Sequence, residues 1–331
     1  MTGEGAVLSV RDLHTVAGAG AAAVPLIRGV SFDLAAGEAV ALVGESGSGK
    51  SVTALSVMGL LPAGVRTTGG SVVVGGRDVA TLDARERRTV RGAEVAMIYQ
   101  DPMTSLNPLM RVGAQVVEGL VAHGVRGEEA RHRAVAALGE VGLPRPERTG
   151  RAYPHELSGG QRQRVMIAMA LALRPRVLIA DEPTTALDVT IQQQVLALAD
   201  DLRRSTGMAL LWITHDVGVV ARLAERVLVM YAGRVVEAGP TGRLFAAPQH
   251  PYTAGLLGSL PPLLGDDRPD LPQIGGRPPE LSALPPGCSF HPRCAQREDR
   301  CLTDDPRLEA RGPADAGVAA ACWVPRERWR S

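Results

Sequence analysis

Gly44-Glu45-Ser46-Gly47-Ser48-Gly49-Lys50-Ser51 is the stretch on which the reading of this chain turns. It fits G-x-x-x-x-G-K-[ST], a pattern in which backbone N–H groups of a glycine-rich loop cradle phosphates, the lysine reaches the outer phosphates and the hydroxyl ligates Mg2+. Lys50 is the only lysine among 36 Lys and Arg residues, so a composition that otherwise uses arginine keeps an ammonium here. A compact charge on a flexible stem fits between two phosphates where a planar guanidinium would not. Ala39 to Val43, just upstream, is a continuous apolar run, as expected of a buried parallel strand feeding a helix N-terminus. The helix is expected to run from Lys50 to about Leu61 and to stop at Pro62.

Working outward, 331 residues with 45% hydrophobic content can bury a real core in one large or two ordinary domains. A net charge of +1, with arginines interspersed among acids, supplies no field to draw nucleic acid or an anionic bilayer, so no nucleic-acid partner is expected. No apolar run approaches the length of about 18 residues that spans a membrane, and Met1 to Val10 lacks the features of a secretory signal. A cytoplasmic protein is expected.

Short strands are expected at Val7 to Val10 and Val30 to Leu34, with Ala17 to Ala23 a loop between them. Val72 to Val74 before Gly75-Gly76 reads as a strand and tight turn, and Val95 to Tyr99 as another buried strand. From Val112 to about Arg151 the apolar spacing is helical. Strands at Val177 to Ala180, Ala209 to Ile213 and Val227 to Met230 then alternate with helices at Ile191 to Arg204 and Val217 to Leu223. That alternation predicts a mostly parallel, doubly wound α/β sheet. Beyond about Pro261 paired prolines punctuate a stretch with little periodicity, and a boundary is placed there.

Two further motifs bear on phosphate. Val177 to Ala180 ends in Asp181-Glu182, which puts two acids at the carboxyl end of a strand, where ligands of such sheets bind. Asp181 is placed to support Mg2+ and Glu182 to hold or deprotonate an attacking water. Leu157-Ser158-Gly159-Gly160-Gln161 opens a helix, so a serine and two glycines present N–H groups at a positive helix end.

These residues resemble the nucleotide-binding subunits of ABC transporters, over nearly the whole chain. The resemblance implies a P-loop NTPase (RecA-like) core with an antiparallel β subdomain and an α-helical signature subdomain at about 111–170. These make up a nucleotide-binding domain at 1–260, with a Pro-rich, Cys-containing C-terminal extension at 261–331. ATP and Mg2+ are the implied ligands. Gly44, Glu45, Ser46, Gly47, Ser48, Gly49, Lys50 and Ser51 would hold the phosphates, with Ser51, Gln100 and Asp181 around the metal. Ser158, Gly159, Gly160 and Gln161 form the family signature, which would complete the site of a second cassette packed head to tail. Gln100 matches the Q-loop, which senses nucleotide beside the groove for the membrane partner. Thr185-Ala186-Leu187-Asp188 matches the D-loop, and His215, between Thr214 and Asp216, the switch histidine. The family stacks adenine on an aromatic side chain after its first strand. Leu13-His14-Thr15-Val16-Ala17 offers none, leaving His14 or an aliphatic contact to serve.

A single cassette with no fused membrane span, and too short a separation of Gln100 from Leu157 for a long coiled coil, point to importers. Gln100 to Pro108, His250-Pro251-Tyr252-Thr253 and Cys288-Ser289-Phe290-His291-Pro292-Arg293-Cys294 resemble the ATPase subunits of dipeptide and oligopeptide importers. Nickel and some sugar importers share that layout, and a soluble ABC ATPase with a redox-sensing module is the alternative of another class. Implied partners are two polytopic permease subunits, a second ATPase subunit that is commonly a different chain, and, indirectly, an extracytoplasmic binding protein. The chain would then sit peripherally on the cytoplasmic face of the membrane. All four cysteines, Cys288, Cys294, Cys301 and Cys322, fall in the extension with spacing C-x5-C-x6-C-x20-C. Four thiolates can hold Zn2+ or an iron–sulfur cluster, or remain free; the resemblance implies a [4Fe–4S] cluster.

Overall fold

Ala39–Val43 is buried along its whole length, and the fold is arranged around it. The computed structural model describes residues 5–99, 105–184, 188–259, 274–311 and 317–329. In chain order the strands are β1 (Ala6–Ala17), β2 (Val24–Ala35), β3 (Ala39–Val43), β4 (Val65–Val74), β5 (Arg77–Asp78), β6 (Val95–Ile98), β7 (Val177–Asp181), β8 (Ala209–Thr214), β9 (Arg226–Tyr231), β10 (Arg234–Pro240), β11 (Glu309–Arg311) and β12 (Val318–Ala320). They form an eight-stranded sheet, β11-β12-β10-β9-β3-β8-β7-β6, and a four-stranded antiparallel sheet, β2-β1-β4-β5. From β9 to β6 the large sheet is parallel, with β3 between β8 and β9. β3, β7 and β8 are buried at every position, which explains their continuous apolar runs.

Three helices stand beside this core. Val112–Ala122 buries Val112, Val116 and Leu120 at four-residue spacing, and Gly127–Glu140 buries Ala130, Ala134, Ala137 and Leu138. Both pack into one cluster with Val165, Ile167 and Ala168 of Gly159–Leu171. Gly124 and Gly142, both at positive φ, break the expected helical stretch between them.

Two expected boundaries are corrected. The helix after the glycine loop ends at Met58, where Gly59 adopts φ 59° and donates its N–H toward the carbonyls of Leu55 and Ser56. A left-handed glycine cap, not Pro62, stops it. β1 and β2 run far beyond Val7 to Val10 and Val30 to Leu34. A bulge, with Asp12 at φ 43° and a register shift between Val10 and Leu13, breaks the alternation that a strand shows in sequence.

Residues beyond 274 add to the same sheet: β12 pairs with β10 (Glu237 opposite Ala320) and β11 with β12. Beneath β12, His250 is 1% exposed; its Nδ1 accepts the Tyr252 N–H at 3.1 Å and its ring also bonds the Ala321 backbone. Burial pushes the imidazole down to about 3, so the fold holds it neutral. Glu237 alongside accepts the backbone N–H groups of Gln249 (2.7 Å) and His250 (2.9 Å), and burial pushes it up to about 7.

The two groups act on stability in opposite directions. Below its ordinary pKa of 6.5, unfolded His250 takes up a proton that the folded ring refuses, so its contribution is lost as pH falls toward about 3. Glu237 holds its proton longer when folded, so its contribution is lost as pH rises from 4.5 to about 7. His250→Asn keeps an acceptor for the Tyr252 N–H and cannot titrate. In urea unfolding it should lose less stability than the wild type between pH 7 and pH 5; equal losses would count against this account.

Candidate functional site

The loop after β3 is shaped by contacts that only glycine permits. A Cβ on Gly44 would collide with the Met230 carbonyl oxygen on β9, and one on Gly49, at φ 106°, would press on Ile27 and Met230. The loop is also tied at its far side, where Gly233 donates to the Ser48 carbonyl at 2.9 Å. Lys50, 5% exposed, donates from Nζ to the carbonyls of Gly44 (2.7 Å) and Glu45 (3.1 Å), so the loop curls around its ammonium. Burial lowers the Lys50 pKa, and the carboxylates of Glu182, Asp181 and Glu45 oppose that shift. Helix Lys50–Met58 starts at Gly49 without a side-chain cap, leaving its first N–H groups and the positive end of its dipole facing the loop.

Asp181 ends β7 at 5% exposure and accepts a hydrogen bond from the Ser51 hydroxyl. Burial raises its pKa, and its Oδ1 is buried without a hydrogen-bond partner. An orphaned carboxylate oxygen beside a serine hydroxyl suits a hard divalent cation, so Ser51 and Asp181 fit Mg2+. Glu182, next along, adopts φ 45°, an unusual backbone for a non-glycine residue, and its N–H is tied to the Ile213 carbonyl at 2.9 Å. Its carboxylate lies 3.2 Å from Nδ1 of His215, which follows β8. Strand ends and glycine loop thus meet in a cleft of about 380 Å3, lined by Ser46, Gly47, Gly49, Lys50, Ser51 and Glu182 together with Leu26, Val52 and Leu281.

Ser158 and Gly159 are exposed and do not line that cleft. Ser158 caps helix Gly159–Leu171 in a reciprocal box with Gln161: the Gln161 N–H reaches Ser158 Oγ at 3.3 Å, and the Ser158 N–H reaches Gln161 Oε1 at 3.0 Å. Gly160 lies against Ile191, which a Cβ would crowd. The exposed start of this helix therefore takes no part in its own chain's phosphate-loop cleft. Asp188 caps helix Val189–Thr206 through the Ile191 N–H at 2.9 Å. Gln100, with Asp101 to Thr104, and Thr185 to Leu187 lie outside the described residues.

Three cleft contacts have no local signal in the sequence. The Glu45 N–H donates to the hydroxyl of Tyr252 at 2.8 Å, the Glu45 carboxylate is gripped by Arg293, and Leu281 forms part of the wall. All three partners lie more than 200 residues downstream in the chain. His14 pairs with Asp12 at 3.1 Å and is absent from the cleft lining, whose apolar side chains are Leu26, Val52 and Leu281.

The four cysteines gather in the extension. Cys301 and Cys322 are buried, Cys288 and Cys294 half-buried, and the Cys288 N–H donates to the Cys301 carbonyl at 2.9 Å. Burial, then the neighbouring thiols, pushes Cys288 up to about 12 and Cys294 up to about 11, which favours the protonated thiol. Among the described residues no group of three or more His, Cys, Asp or Glu stands in metal-holding geometry. The arrangement does not fit a preformed metal site, and the [4Fe–4S] and Zn2+ expectations find no support in it.

Comparison with known proteins agrees with this geometry. The family model for ABC transporters matches residues 27–185, and that for the oligopeptide/dipeptide transporter C-terminal region matches residues 236–301. The chain is 47% identical over 324 residues to the dipeptide transport ATP-binding protein DppD of Bacillus subtilis, covering 97% of this chain and 96% of that protein. It is 47% identical over 322 residues to the oligopeptide transport ATP-binding protein OppD of Salmonella typhimurium, covering 97% and 94%. Among solved structures, the dimeric ATP-binding cassette MJ0796 bound to ADP and Pi superposes with a TM-score of 0.63 at 29% identity, covering 71% of this chain and 98% of that one.

The Asp181 carboxylate generates the clearest prediction from the geometry. Asp181→Asn removes the charge facing the cation site while keeping the Ser51 contact. Titration with fluorescent ATP should show metal-free binding within roughly twofold of wild type and most of the gain on adding Mg2+ abolished. A full Mg2+ gain in the variant would remove Asp181 from the metal shell.

Proposed function

The chain belongs to the ATP-binding proteins of dipeptide and oligopeptide ABC transporters, and we propose that it hydrolyses ATP to energise peptide import. The observation that carries this reading is the meeting of the Lys50 loop and Glu182 at one cleft, with Asp181 bonded to Ser51 and His215 to Glu182, in a chain whose relatedness to peptide-transport ATPases extends through the extension. Residues 1–260 are proposed as the nucleotide-binding domain, with a helical subdomain at about 111–170, and 261–331 as the extension.

In this mechanism the loop N–H groups and Lys50 hold the β and γ phosphates, Lys50 exchanging the carbonyls of Gly44 and Glu45 for phosphate oxygens. Ser51 and Asp181 would hold Mg2+, which would supply positive charge beside the phosphates, and Gln100 is proposed to join them. Glu182 orients the attacking water and takes its proton; its left-handed backbone and its tie to Ile213 aim the carboxylate past the strand end. His215, already paired with Glu182, senses the γ phosphate. The signature residues Ser158, Gly159, Gly160 and Gln161 supply N–H groups and a hydroxyl to the γ phosphate on a second cassette, and Asp188 belongs to the loop between the two sites.

Among the described residues no helix is long and apolar enough to cross a membrane. From its relatedness to peptide-transport ATP-binding proteins we assign the chain a peripheral place on the cytoplasmic face, docked on two polytopic permease subunits, with a second ATPase subunit completing the pair and an extracytoplasmic binding protein delivering substrate. Cells carrying either this chain or its Glu182→Gln form test the reading through uptake of labelled dipeptides, longer peptides and Ni2+. Loss of peptide uptake alone, with purified Glu182→Gln protein still binding ATP and turning it over at least roughly 100-fold more slowly, is the expected result. Unchanged peptide uptake would contradict the transport role, and unchanged turnover the role of Glu182.

A further inference from the structure

Glu45, the second residue of the phosphate loop, is held from three sides. Its N–H goes to Tyr252, its carbonyl accepts from Lys50 Nζ at 3.1 Å and from the Ser48 N–H at 3.2 Å, and its carboxylate meets Arg293. Arg293 grips that carboxylate with both arms of its guanidinium, Nη1 to Oε2 at 2.6 Å and Nη2 to Oε1 at 3.0 Å. The side chain is 4% exposed, and its remaining donors are also engaged: Nε by the Gly275 carbonyl at 2.9 Å, Nη2 by the Ile274 carbonyl at 3.3 Å, Nη1 by the Tyr231 hydroxyl at 3.4 Å. It lies over the rings of Tyr231 and Phe290. A bidentate pair whose guanidinium has all its donors engaged has one geometry, unlike an exposed pair that swings freely. Arg293 is also the residue before Cys294, in a segment that is otherwise remote from the phosphate loop in sequence.

We infer that Arg293 is a positioning residue for the phosphate loop, through which the cysteine-bearing extension sets affinity for ATP. The guanidinium fixes where the Glu45 backbone stands, and the Glu45 carbonyl is one of the two that Lys50 must leave to reach phosphate. Anything that moves the 288–294 segment thereby moves the start of the loop. Because coupling between sites is reciprocal, ATP must in turn hold that segment in place.

The inference rests on the ATP-hydrolysing reading, and the experiment separates the two. Michaelis parameters for ATP are measured on the full-length chain for wild type, Arg293→Ala, Arg293→Lys, Glu45→Gln and the Glu45→Gln/Arg293→Ala double variant. Both Arg293 variants should raise KM by roughly tenfold with a smaller change in kcat, lysine included, because a point charge cannot reproduce the fork. The double variant should be no worse than the worse of its single variants. Arg328→Ala, which breaks an exposed pair with Glu298 in the same extension, should leave KM at the wild-type value. A readout independent of turnover is the rate at which iodoacetamide alkylates Cys294 in the wild type: saturating MgATP should slow it several-fold, and Arg293→Lys should erase that protection. Wild-type KM in a folded Arg293→Lys protein, additive losses in the double variant, or no protection of Cys294 by MgATP would each overturn the inference. Absence of ATP binding by the wild type would instead count against the function proposed above.

Discussion

The close approach of Gly44 to the carbonyl of Met230 is the constraint on which the site depends. It brings the turn after β3 hard against β9, where any side chain at position 44 would push the two apart. With Gly233 tied to Ser48 on the other side, the loop is fixed at both ends before any phosphate arrives. Its N–H groups and the start of helix Lys50–Met58 are therefore preorganised, and binding requires little reordering of backbone. β3, buried on both faces between β8 and β9, transmits that rigidity to the neighbouring strand ends that carry Asp181, Glu182 and His215.

The extension shares this rigidity instead of hanging from it. β12 and β11 continue the main sheet, while Tyr231, Tyr252 and Phe290 pack ring against ring, with centroids 4.6 to 5.4 Å apart. Asp305 of the extension binds Arg28 and Arg234 of the cassette, and Arg28 also donates to Ser289 at 2.9 Å. The bidentate Arg293–Glu45 pair is part-buried, so it is screened less and held in a tighter geometry than the exposed pairs of the surface. The gathered cysteines belong to this packing: Cys301 and Cys322 are buried with Val324, and Cys288, Trp323 and Trp329 pack against them, filling a segment poor in regular structure.

How much of this was legible in the sequence follows from how local each determinant is. The glycine loop, the apolar strand ending in Asp181-Glu182 and the helix opening at Ser158 are written in consecutive residues, which is why these elements could be read locally. The parallel core was legible because strands buried on both faces are apolar throughout. The length of β1 and β2 was hidden by the bulge at Asp12, and the end of the first helix by a glycine whose capping role depends on a positive φ. Tyr252, Arg293 and Leu281 could not be assigned to the site at all from periodicity or spacing. Their contacts with Glu45 and the cleft wall are made when residues more than 200 positions downstream fold back onto the loop, and that is information about tertiary structure.

The central claim is that a buried ammonium, now held by the carbonyls of Gly44 and Glu45, is the group the loop offers to phosphate. The most direct measurement is the affinity of Lys50→Arg for fluorescent ATP, beside a thermal scan of the nucleotide-free protein. This account predicts a folded variant whose affinity falls by roughly tenfold or more, since a planar fork conserves charge but fits neither the carbonyl cradle nor the phosphates. Wild-type affinity in that variant would contradict it.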